Sequence, residues 1–230
     1  MKITLTDAGK RFNRDWIFRH VNYEFINGHA YAITGPNGSG KSTLLQVIAG
    51  SIASSEGVVD YKLTVDSSQV AENFENTDRP SANSQQPSAN RQISPENIYQ
   101  HLSIAAPYLE VVEEMTLIEF LQFHQNFKPF LPSINIEKII SLIGLQKSAQ
   151  KQIRYYSSGM KQRVKLAQAI FSNTPVLLLD EPCTNLDVEG INLYQLLIKD
   201  YCKNRLVIVS SNDVQEYSFC EEKIDILSFK

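Results

Sequence analysis

Residues Ala30 to Gly50 read AYAITGPNGSGKSTLLQVIAG, and this stretch constrains the fold more than any other. A β-prone run ends at Thr34, and the segment Gly35-Pro36-Asn37-Gly38-Ser39-Gly40-Lys41-Ser42 follows the pattern GxxxxGK[ST]. Beyond it, Thr43 opens a helical pattern that runs to Ala49, with Gly50 as its stop. The glycines let consecutive backbone N–H groups curl around a phosphate, and a helix N-terminus adds a fixed partial positive charge. In such a loop Lys41 reaches the β- and γ-phosphates as a surface-facing ligand, and the Ser42 hydroxyl is placed to ligate Mg²⁺. A strand feeding a helix through this loop predicts an α/β fold and a nucleotide site.

A second run, PVLLLDEPCTNLD, has the chemistry such a loop needs. Four apolar residues predict a buried strand that delivers Asp180 and Glu181 at its C-terminal end, where open α/β sheets bind ligands. Asp180 suits the shell of a Mg²⁺ ion. Glu181 is placed to orient and deprotonate an attacking water.

Strands are predicted at Ile3–Thr6, Val21–Phe25, Ala30–Thr34, Val176–Asp180, Leu206–Ser210 and Ile224–Phe229, with helical patterns between the later ones. That alternation predicts a largely parallel sheet. From about residue 65 to 95 the chain is polar and contains PSAN twice, which predicts a flexible surface insertion. From about residue 109 to 157 the pattern is helical, and Thr116 and Glu119 have capping-box spacing.

The bulk numbers exclude several classes. With 230 residues, 43% of them hydrophobic, the chain can bury a real core. A net charge of −3 argues against a broad nucleic-acid surface, so no nucleic-acid partner is expected. The three cysteines lack CxxC spacing and fit a reducing compartment. No run approaches the ~18 apolar residues of a membrane span, and the N-terminus lacks the apolar run of a signal peptide. A cytoplasmic protein is expected, one that serves a membrane by docking to another chain.

One stretch resists a catalytic reading. YYSSGMKQRVKLAQAI, Tyr155 to Ile170, sets two serines and a glycine before a helix, with no carboxylate, histidine or thiol. Together with the phosphate loop and the Asp180-Glu181 strand, it resembles the ATP-binding subunits of ABC transporters over almost the whole chain. In that family a signature turn, usually Leu-Ser-Gly-Gly-Gln, lies between the two motifs; here YSSGM takes its place.

The resemblance implies a single-domain P-loop NTPase over residues 1–230. Its sheet would be mixed and largely parallel, with an N-terminal antiparallel β portion and a helical subdomain. It implies that Ser157, Ser158 and Gly159 cap the γ-phosphate of ATP held by a second subunit, in a homodimer or heterodimer. It places TNLD, with Asp187, at the dimer interface, and Phe12 (with Trp16 as runner-up) against adenine. It implies ATP and Mg²⁺ as cofactors, a membrane-spanning permease as partner, and a peripheral site at the inner face of the cell membrane.

Three motifs depart from the family pattern. Tyr108 stands where a loop glutamine is expected, and Asn212 where the switch histidine is expected. The signature has Ser158 for a glycine and Met160 for a glutamine. Asn212 can donate a hydrogen bond to a γ-phosphate but cannot shuttle a proton. With Glu181 present, ATP hydrolysis at a modest rate is expected, in a subunit that drives a permease, with an exporter as the direction the resemblance suggests. The alternatives are a soluble ABC-type ATPase or an ATP-gated regulatory module.

Overall fold

The computed structural model describes residues 1–64 and 90–230. The first two strands, β1 (Lys2–Phe12) and β2 (Asp15–Ile26), form a hairpin turned at Asn13 and Arg14. Asn13 takes φ 54°, the left-handed conformation a tight turn requires. Strand β4 (Glu56–Thr64) pairs antiparallel with β1, and β5 (Asn90–Ile93) pairs with β4. These make a four-stranded antiparallel sheet in the order β2-β1-β4-β5.

The second sheet is parallel throughout. It contains β3 (Ala30–Thr34), β6 (Leu102–Ala105), β7 (Val176–Asp180), β8 (Leu206–Ser210) and β9 (Glu222–Asp225), in the order β6-β7-β8-β3-β9. Strands β7 and β8 are buried along their whole length, which explains why both read as unbroken apolar runs. Their side chains alternate between two cores. Leu177, Leu179, Val207 and Val209 enter one, and Val176, Leu178, Leu206 and Ile208 the other.

The first core is closed by α2 (Leu117–Gln125), α3 (Ile136–Leu142), α4 (Ser158–Phe171) and α5 (Val188–Tyr201), through residues such as Leu121, Ile139, Ala167 and Tyr194. Helix α2 begins with the anticipated capping box, Thr116 and Glu119 each accepting from the other's backbone N–H. The second core lies between the parallel sheet, α1 (Lys41–Ile48) and the antiparallel sheet, through Leu45, Ile48, Phe18 and Tyr61. A one-turn helix, α6 (Val214–Tyr217), follows β8.

Several boundaries differ from the sequence reading, β1 and β2 running well beyond the predicted Ile3–Thr6 and Val21–Phe25. The last predicted strand ends at Asp225 rather than Phe229, because the Asp225 carboxylate accepts from Leu227 N at 3.0 Å and caps a 3₁₀ turn over Ile226–Phe229. The polar insertion expected at about 65–95 falls largely outside the described residues, but its final part, Asn90–Ile93, is strand β5 with Ile93 buried. No helix among the described residues is long and apolar enough to cross a membrane.

Candidate nucleotide site

The C-terminal ends of three adjacent parallel strands converge. Strand β3 runs into the loop Gly35–Gly40, β7 ends at Asp180 and Glu181, and β8 leads through Ser211 to Asn212. The order β7-β8-β3 makes this convergence unavoidable. A cavity of about 210 Å³ opens there, lined by Ile17, Asn37, Gly38, Gly40, Lys41, Ser42, Thr43 and Glu181. Asn212 joins it through its amide, which donates to Asn37 Oδ1 at 3.1 Å.

The loop has the backbone that phosphate binding requires. Gly40 lies at φ 101° and a Cβ there would overlap the Ile17 side chain; Gly38 lies at φ 75° with open space beside it. Only glycine adopts these angles without strain. Behind them α1 starts with no side-chain cap, so its first N–H groups stay available at the cavity.

Lys41 corrects one expectation. Its side chain is not surface-facing: the residue is 4% exposed, and Nζ donates to the carbonyls of Gly35 at 2.9 Å and Pro36 at 3.2 Å. The ammonium thus ties the loop's entry to its exit.

Asp180 bears on the Mg²⁺ expected from the sequence. It is 2% exposed, and its Oδ1 has no hydrogen-bond partner among the described residues. A buried carboxylate oxygen left bare is costly unless a cation or donor meets it. The Asp180 carboxylate and the Ser42 hydroxyl, the latter lining the cavity, are hard oxygen donors of the kind Mg²⁺ takes. Ser39 Oγ is likewise buried and unpartnered among the described residues.

Glu181 sits at φ 42°, in the left-handed region that a residue with a Cβ rarely enters. Its N–H donates to Ser210 O at 2.9 Å and its carbonyl accepts from Thr184 N at 3.1 Å, which hold the strained turn.

Ser157, Ser158 and Gly159 lie elsewhere. Ser157 caps α4, its Oγ accepting from Met160 N at 3.3 Å; Ser157 and Ser158 are exposed, and neither lines the cavity. A Cβ on Gly159 would come within 2.9 Å of Asn185 O, so this turn packs against the TNLD loop. Asp187 is engaged there too. Its Oδ1 caps α5 by accepting from Gly190 N at 2.8 Å, and lies 3.5 Å from Arg163.

The aromatic candidates sit on the β1–β2 hairpin. Phe12 is exposed, with the Lys10 ammonium 5.1 Å from its ring centre. Trp16 is flanked by guanidinium groups, Arg19 at 4.1 Å and Arg11 at 5.5 Å. Tyr108 is half-exposed, and its hydroxyl meets Gln46 of α1. Burial pushes that hydroxyl's pKa up, the Gln46 hydrogen bond pulls it down, and the Asp180 charge pushes it up. Sequence reasoning passed over Gln46, although it lies one helical turn beyond Ser42.

The sequence profile described as ABC transporter matches residues 18–184, nearly three quarters of the chain. The chain belongs to the ABC transporter family. It is an ATP-binding subunit of that family and an ATPase, and the fold is the α/β P-loop cassette expected from the sequence. It is 34% identical over 173 residues to the cytochrome c biogenesis ATP-binding export protein CcmA of Xylella fastidiosa, covering 75% of this chain and 66% of that protein. It is 24% identical to the ABC transporter ATP-binding protein YybJ of Bacillus subtilis, over 97% of this chain and 92% of that one. Among solved structures, the ABC cassette MJ0796 in its dimeric post-hydrolysis state with ADP and phosphate superposes with a TM-score of 0.72. Sequence identity to MJ0796 is 20%, with 97% of this chain and 94% of that chain covered.

Proposed function

We propose that two ATP-binding subunits of this kind associate head-to-tail around two ATP molecules and drive a membrane-spanning permease from the cytoplasmic side, in the direction of export. One observation carries the reading. The phosphate loop and Glu181 share one cavity, with Asn212 bonded to Asn37 of its lining, whereas Ser157, Ser158 and Gly159 lie outside it with both serines exposed. A γ-phosphate cradle that cannot serve its own chain's site serves that of a second chain. The dimeric state of MJ0796 with ADP and phosphate supports this arrangement, and the export function in the name of the CcmA relative supports the direction.

Within each composite site, Gly35–Thr43 binds the phosphates through backbone N–H groups, with Lys41 turning from the loop carbonyls to the β- and γ-phosphates. Ser42 and Asp180 would hold Mg²⁺, which when bound neutralises charge developing on the transferred phosphoryl group. Glu181 orients the attacking water and accepts its proton. Asn212 donates its amide N–H toward the γ-phosphate, and Phe12 or Trp16 stacks on the adenine.

The test is Glu181→Gln, which keeps the shape of the site and the Asp180 ligand while removing the base. With ATP, size-exclusion should show a species of twice the subunit mass that wild type accumulates only transiently. Hydrolysis at the wild-type rate would exclude Glu181 as the base.

A further inference from the structure

Glu216 has no role in the mechanism above, yet it is 5% exposed and sits in the four-residue helix α6. Its Oε1 accepts from the backbone N–H of Cys183 at 2.7 Å, and the Ser211 hydroxyl bonds to the same carboxylate. Its own carbonyl accepts from the buried Tyr194 hydroxyl of α5 at 2.7 Å, which fixes α6 in place.

The two partners of this carboxylate are informative. Cys183 belongs to the turn that starts at Glu181, and Gln162 of α4 steadies that turn by donating to Pro182 O at 2.7 Å. Ser211 immediately precedes Asn212; its N–H donates to Ile33 O of β3 at 3.1 Å, and its Oγ accepts from Asp213 N at 2.9 Å. One buried carboxylate therefore ties the loop after β7 to the loop after β8, beside the loop after β3.

Burying a carboxylate is unfavourable, and burial raises the Glu216 pKa, with the Ser211 and Cys183 bonds opposing it. Glu181 is itself strained and has few holds of its own. A costly group that braces a strained one at a reaction centre points to placement, not to bulk stability.

We infer that Glu216 is a positioning residue for ATP hydrolysis, holding Glu181 through Cys183 and Asn212 through Ser211 in the register that in-line attack requires. The inference rests on the proposed assignment of Glu181 as the base. Glu216 does not line the cavity. Its effect falls on kcat and not on nucleotide affinity, since Lys41 and the glycine loop are untouched.

Two conservative variants separate reach from charge. Glu216→Gln keeps the length and an acceptor for Cys183 N, while its amide can donate to Ser211 Oγ. Glu216→Asp keeps the charge but is one methylene too short to reach both partners. ATP affinity, steady-state kcat and melting temperature are measured on the full chain of each, with Glu181→Gln in parallel.

Glu216→Asp should lose roughly tenfold to a hundredfold in kcat, the range that a small misplacement of a catalytic group costs, with ATP affinity within about twofold of wild type. Glu216→Gln should recover most of that loss. A wild-type kcat in Glu216→Asp would overturn the inference, as would parallel losses of kcat and affinity. A Glu216→Gln as slow as Glu216→Asp would overturn it too, by making charge the requirement. If Glu181→Gln hydrolyses ATP normally, the base assignment fails, and that result is read independently of the two Glu216 variants.

Discussion

The amide of Asn212 donates to the side-chain carbonyl of Asn37 across 3.1 Å, joining the residue after β8 to the middle of the phosphate loop. Asparagine carries no ionisable group, so whatever this position does in hydrolysis it does as a fixed donor. Asn212→Ala should lower kcat about fivefold, the worth of one hydrogen bond, with ATP affinity nearly unchanged. Asn212→His should add a pH limb near the ordinary histidine pKa of about 6.5 that wild type lacks. Rate–pH profiles of the three proteins decide it, and an identical limb in wild type would assign the proton shuttle elsewhere.

Lys41 is held by two carbonyls of its own loop, so its removal acts twice. Lys41→Ala should weaken ATP binding by about tenfold to a hundredfold, the range for a charge-assisted contact. It should also lower stability by ~1 kcal/mol through the freed carbonyls. Titration with ATP and thermal melting measure the two effects separately. Unchanged affinity would remove Lys41 from the phosphate site.

The exposed turn at Ser157 invites a mixing experiment. Ser157→Arg should spare ATP binding by the separate subunit and block ATP-driven association, at a cost of ~1 kcal/mol for the lost α4 cap. Mixed with Glu181→Gln subunits, it forms dimers in which one composite site carries both lesions and the other carries neither. Two inactive proteins should then give partial activity together. No rescue in confirmed mixed dimers would favour a turn acting within its own chain.

His124 gives a pH prediction for the fold. It lies stacked near Phe120 and Phe130, with its Nε2 2.9 Å from Ser172 Oγ. Burial, with the nearby Lys128 charge, lowers its pKa to about 4. The unfolded chain, with a histidine pKa near the ordinary value of about 6.5, then binds the proton that the folded chain refuses. The stability is therefore fully present above pH ~6.5 and is lost as pH falls toward about 4. His124→Gln, which cannot titrate, should show a smaller fall in melting temperature between pH 7.5 and 5 (roughly the span over which histidine charges). An equal fall would place the acid sensitivity in other groups.

What the sequence disclosed follows from how local each signal is. The phosphate loop and the Asp180-Glu181 pair stand directly after buried strands, so apolar runs announce them and the backbone delivers them. Strand β5, NRQI, is short and polar and is held by pairing with β4, which no local pattern records. The early stop of β9 came from a single side chain, Asp225, capping a 3₁₀ turn. The inward turn of Lys41 depends on carbonyls within its own loop, and sequence spacing leaves that choice open. Glu216 was invisible for a different reason: in SNDVQEY nothing separates a buried carboxylate from a solvated one until α5 and the turn after Glu181 close over it.

The alternation of β7 between two cores has a consequence for the evolution of the site. A slip of one residue in that strand would send Leu177 and Leu179 where Val176 and Leu178 belong. It would also carry Glu181 into the buried place of Asp180, and Asp180 into that of Leu179 inside the first core. Because misalignment disrupts both interiors at once, an insertion or deletion in this strand would fail at folding before it could alter the chemistry. The spacing between Asp180 and Glu181 is thereby tied to the architecture, and the loops that surround it are left freer to vary.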